Sequence, residues 1–158
     1  IMAVIERILV GVRANLNHLV RKNEDPEKLL EQLVEELKQD LLILRQNMAG
    51  AIATQKRMQR QLAYAESSAQ GWYNRAKLAL EQGQEDLARE YLSHRQSQRK
   101  VAQALQEQLV QQETVISKLK ENLWFLETKI AETKTKRDMY IVRFRSAVVQ
   151  EKLHKLTN

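Results

Sequence analysis

Apolar residues recur in alternating steps of three and four along two stretches of this chain, and the two stretches mirror each other about Trp72–Leu92. The first runs Leu30, Val34, Leu37, Leu41, Leu44, Met48, Ala51, Gln55, Met58, Leu62, Ala65, Ala69, Trp72, Ala76, Ala79. The second runs Ala88, Tyr91, Arg95, Gln98, Ala102, Leu105, Leu109, Gln112, Ile116, Leu119, Leu123, Leu126, Ile130, Thr133, Arg137. Each is a heptad seam, the signature of helices that pack along their length. Folding the chain at Gly83 places Leu62 opposite Leu105, Leu44 opposite Leu123 and Leu37 opposite Ile130. In that register the polar interruption of the first seam, Gln55, meets Gln112 of the second. Two facing amides can hydrogen-bond and penalise slipped registers; the alternative is that both face water at the seam edge. The pattern predicts an antiparallel helical hairpin over residues 26–158.

Local signals agree with that layout. Asp25 is a candidate N-cap, Pro26 suits the first helical position, and Glu27 complements the helix dipole. Gly83 can take the left-handed conformation that ends a helix, and Glu85 and Asp86 suit the start of the next. At the tip, Trp72 falls opposite Arg95, which allows either a cation on the ring or simple aromatic packing. The second helix outruns the first, because Pro26 lies opposite Ile141. The overhang continues apolar through Tyr140, Ile141, Phe144, Ala147, Val148 and Leu153, flanked by Arg143, Arg145, Lys152 and Lys155. A lone exposed helix does not carry such a stripe without a partner, so another copy of the chain is the expected neighbour, in a contact that repeats into rings or filaments.

Residues 1–22 form a separate unit. Met2, Ile5, Leu9, Val12, Leu16 and Leu19 mark one face of a helix, and Arg7, Arg13 and Arg21 lie on its cationic flanks. A broad apolar face with basic edges suits a segment lying in a bilayer interface. Docking on the hairpin or on a neighbouring copy is the alternative.

The net charge of +6 over 158 residues favours anionic partners, and anionic lipid fits the amphipathic segment. Nucleic acid ranks below lipid and a protein partner, since no groove-reading module or stacking platform is present. With no cysteine there are no disulfides or thiolate metal sites. No apolar run reaches the roughly 18 to 20 residues of a membrane span. His18, His94 and His154 lack metal-ligand spacing, so no metal site is expected. There is no phosphate-cradling loop, zinc-protease motif or nucleophile elbow; no catalytic residue and no cofactor are assigned.

Five segments carry a family likeness: RANLNHLV, EDPEKLLEQ, LILRQ with Arg45, RAKLALEQGQEDLARE at the tip, and FLETKIAETKTKRDMY with Glu127. Together they resemble the phage shock protein A and vesicle-inducing protein in plastids family of the ESCRT-III superfamily. The resemblance implies an ESCRT-III-like fold and a peripheral protein on the cytoplasmic face of the inner membrane or on the thylakoid membrane. Such a protein self-assembles into rings, rods or filaments that stabilise or remodel bilayers. It further implies that Arg45 is an assembly-critical arginine and Glu127 the acidic residue associated with it, and it brings a weak association with nucleotide hydrolysis. A salt bridge between Arg45 and Glu127, within one chain or between two, explains their placement more simply than a nucleotide site. Tyr140, Phe144 and Val148 are further candidates for assembly. The chain departs from the family where Ile5 stands in place of an aromatic, at Val10-Gly11 where basic residues are usual, and where the family continues into further helices. A coiled-coil stress-response regulator that holds a protein partner, such as a transcriptional activator, is the alternative function.

Overall fold

The computed structural model describes residues 25–158. Two helices, α1 (Pro26–Glu81) and α2 (Glu85–Thr157), pack as an antiparallel hairpin, and the described residues contain no strand. Helix α1 begins at a cap. The Lys28 amide donates to Asp25 Oδ1 at 3.3 Å, which satisfies one of the amide groups left unpaired at the start of α1. The turn forms at Gly83, whose φ of 75° is open to glycine at no steric cost. The Gly83 amide donates to the Leu80 carbonyl at 3.1 Å and the Gln84 amide to the Ala79 carbonyl at 2.8 Å, the bond pattern of a Schellman cap. The chain then re-enters helix at once, with the Ala88 amide donating to the Gln84 carbonyl.

Contacts divide the chain into two compact units. In the unit formed by Met48–Lys118, the buried seam is mostly alanine: Ala65, Ala69, Ala76, Ala79, Ala88 and Ala102, with Leu105 and Ile116. Small residues along a seam allow two helices to approach closely. At the tip, Ala76, Ala79 and Ala88 form a cluster against which Leu87 and Tyr91 pack. In the unit that joins the chain up to Asn47 with Leu119–Asn158, the seam is bulkier, with Leu30, Val34, Leu44, Leu119, Leu126 and Ile130 buried. Burying each of the leucines contributes about 1.5–3 kcal/mol.

Among the described residues, every buried apolar one lies on one of the two predicted seams. The buried polar residues among them are Thr133 and Asp40. Thr133 donates its hydroxyl to the Lys129 carbonyl one turn back at 2.7 Å, so the seam accepts it without an unmet polar group. Asp40 is off the seam, and heptad spacing did not mark it.

Candidate assembly and membrane-facing surfaces

Arg45 directly follows Leu44, and Glu127 directly follows Leu126; these leucines are among the most deeply buried side chains of the fold. Anchoring each helix by its leucine turns the next residue to the same flank of the hairpin. Arg45 Nη2 consequently lies 3.2 Å from Glu127 Oε1, across 82 positions of sequence. Both side chains remain about half exposed, at 59% and 51%, so water and salt screen the pair and its contribution to the hairpin is at most about 1 kcal/mol. Within the other unit, Gln106 Nε2 reaches Glu66 Oε1 at 3.4 Å between the two helices.

The Gln112 amide points into the seam but bonds elsewhere than to a facing amide. Its Nε2 donates to the backbone carbonyl of Ala51 at 3.0 Å, one turn before Gln55. Both glutamines are half-buried. A backbone carbonyl is a fixed acceptor, whereas a second glutamine would have to give up side-chain freedom to serve.

At the tip the ring of Trp72 is covered by residues other than Arg95. His94 stacks on it at 4.5 Å between centroids, Tyr91 lies at 5.6 Å, and Arg75 of the same helix sits 4.7 Å over the ring. Arg95 stands over Tyr73 instead, at 5.0 Å. The packed-aromatic arrangement therefore holds Trp72, with a cation supplied from its own helix. His94 is thereby an aromatic packing residue.

Beyond Ile141, α2 continues for four further turns with no α1 residue opposite it. Tyr140 and Phe144 stack on one side at 6.4 Å, with Val148 half-buried on the same side. The other side of the helix also carries apolar residues: Met139, Val142, Val149, Leu153 and Leu156 are all exposed. Of this second stripe the seam pattern marked only Leu153, since its members fall on positions that coiled coils normally leave polar. Trp124, exposed by 69%, and the exposed Leu42 and Ile43 lie outside the seams as well.

The expected membrane face, Met2, Ile5, Arg7, Leu9, Val12, Arg13, Leu16, Leu19 and Arg21, lies outside the described residues. No helix among those described is long and apolar enough to cross a membrane, and none of their carboxylates and histidines group as a metal site.

These surfaces define an all-α coiled-coil hairpin with one stripe-bearing, cationic end. The chain belongs to the PspA/IM30 family, which matches residues 3–158. It is 46% identical over 152 residues to Membrane-associated protein Vipp1 of Synechocystis, covering 96% of this chain and 57% of that protein. It is 43% identical over 155 residues to the chloroplastic Membrane-associated protein VIPP1 of Arabidopsis thaliana, covering 98% of this chain and 47% of that protein. It is 31% identical over 156 residues to a Phage shock protein A homolog of Deinococcus radiodurans, covering 99% of this chain and 70% of that protein. The chain thus spans about half the length of the Vipp1 proteins it matches. The names of the Vipp1 relatives describe membrane association rather than catalysis.

Proposed function

We propose that this chain is a peripheral, self-assembling scaffold that binds anionic bilayers and stabilises or reshapes them. The observation that carries this reading is the end of α2, where exposed apolar residues alternate with Arg143, Arg145, Lys152 and Lys155 beyond the reach of α1. Apolar surface of that extent is costly in water and seeks a partner. The membrane-associated names of its Vipp1 relatives and the amphipathic pattern of residues 1–22 support a lipid surface as one partner. A second copy of the chain, seated on Tyr140, Phe144 and Val148, is the other. The mechanism is collective: each shallow insertion of residues 1–22 contributes little, and polymerisation multiplies the number of insertions acting on one bilayer. The Arg45–Glu127 flank then serves assembly rather than catalysis. Inner or thylakoid membranes are the setting that fits this reading.

Vesicle sedimentation tests it. The chain is expected to pellet with vesicles containing phosphatidylglycerol, and electron microscopy is expected to show rings, rods or filaments. Removing residues 1–22 should abolish or sharply weaken pelleting while the hairpin stays helical by circular dichroism. Failure of the intact chain to pellet would refute the proposal.

A further inference from the structure

The last turns of α2 carry two apolar faces, and only one of them continues the seam. At 3.6 residues per turn, Met139, Val142, Val149, Leu153 and Leu156 fall within an arc of about 100° on the side opposite Tyr140 and Phe144. All five are between 50% and 83% exposed. Arg145 and Lys152 border one edge of this arc and Arg143 the other. The carboxylates nearby are already held: Asp138 by Arg137 at 3.2 Å and Glu151 by Lys155 at 3.3 Å, the latter on the seam side.

We propose that this outward stripe is a second lipid-contacting surface, laid flat on an anionic bilayer. The proposal rests on the membrane-binding function put forward above. Charge selects the occupant. A second copy of a chain with net charge +6 would bring further cations toward Arg143, Arg145 and Lys152, whereas anionic headgroups neutralise both edges of the stripe as its side chains enter the acyl boundary. The seam-continuing face is left free for a helix of another copy. One stretch of α2 thereby couples assembly to lipid, with a different partner on each side.

The chain contains no cysteine, so one engineered thiol gives a unique label. Val149→Cys and Leu153→Cys would each be labelled with nitrobenzoxadiazole in the full chain and mixed with phosphatidylglycerol vesicles carrying doxyl-labelled lipid. Gln150→Cys and His154→Cys, outside the stripe, are the controls. Blue-shifted emission quenched by doxyl lipid at 149 and 153, and not at 150 and 154, is the expected result. Co-sedimentation without quenching at 149 and 153 would overturn this proposal and leave the membrane function standing. A blue shift that grows with protein concentration but is not quenched by doxyl lipid would give the stripe to a second copy and equally overturn it. Absence of co-sedimentation would remove the membrane function and this surface with it. In the unlabelled chain, combined Val149→Glu and Leu153→Glu is expected to weaken vesicle binding by about tenfold with helicity unchanged; unchanged affinity would count against the stripe.

Discussion

Arg45 and Glu127 meet at 3.2 Å on a flank of the hairpin where each remains about half exposed. An ion pair so placed contributes little to the stability of one molecule, because solvent competes for both partners. In a double-mutant cycle of Arg45→Ala and Glu127→Ala, the coupling read from urea unfolding should be about 0.2–1 kcal/mol and should shrink as salt rises. Assembly should respond differently. If filaments need this pair, reversing both charges, Arg45→Glu with Glu127→Arg, restores filaments lost in either single reversal. Filaments that stay lost in the double reversal would show that Arg45 acts in assembly through a partner other than Glu127.

The neighbours of that pair supply the stability. Leu126 is 0% exposed and Leu44 1%. Leu126→Ala removes contacts that no adjacent side chain can replace without moving a helix, and is expected to cost about 2–5 kcal/mol. Trp124, two positions away, is the control, because Trp124→Ala should change stability by less than about 0.5 kcal/mol. Urea midpoints of the unassembled chain, followed by circular dichroism, measure both. Similar losses in the two variants would mean that the outward face of α2 is covered in solution.

The glycines make opposite predictions. Gly83 holds φ at 75°, where a β-carbon clashes with backbone, so Gly83→Ala should destabilise the hairpin by about 1 kcal/mol. Gly50 lies inside α1 with open space where a β-carbon would stand. Gly50→Ala should therefore stabilise by about 0.5–1 kcal/mol, since alanine loses less backbone freedom on entering a helix. The same unfolding curves decide the sign of each change.

The hairpin was legible from residue spacing because a heptad determines which side of a helix is buried, and burial dominates the energy. Leu30, Leu44, Ala76 and Leu126 illustrate this, each buried where its step of three or four placed it. Spacing does not determine where a long side chain ends. Arg95 sits on the seam across from Trp72, yet its guanidinium stands over Tyr73, and the nearer Arg75 takes the tryptophan. Asp40 is likewise buried one position before Leu41, where the seam pattern placed no residue. The outward stripe of Val142, Val149 and Leu156 is not legible from the heptad, because a heptad determines only the face turned to the partner helix. The pairing of Arg45 with Glu127 was approachable from the register, their exact contact only from coordinates.

Gln112 offers the sharpest test of how register is held. Its amide donates to the Ala51 carbonyl at 3.0 Å from a half-buried seam position. The carbonyl it meets belongs to a helix that is already hydrogen-bonded, so the added bond is worth little, about 0.5–1.5 kcal/mol, against the apolar contact that a leucine would make there. Gln112→Leu is therefore expected to leave stability unchanged or raise it by about 1 kcal/mol. Its effect should appear instead as loss of a unique alignment, because a polar seam residue makes slipped pairings unfavourable and a leucine does not. Engineered cysteines measure alignment directly in a chain that has none of its own. With Leu62→Cys and Leu105→Cys, oxidation of dilute protein should give one intramolecular disulfide efficiently in the native background. Adding Gln112→Leu should lower that yield and raise the yield for Leu62→Cys paired with Leu109→Cys, one turn out of register. Equal yields for the two pairings in both backgrounds would assign register to the Gly83 turn and the large leucines alone, and would leave Gln112 without a part in it.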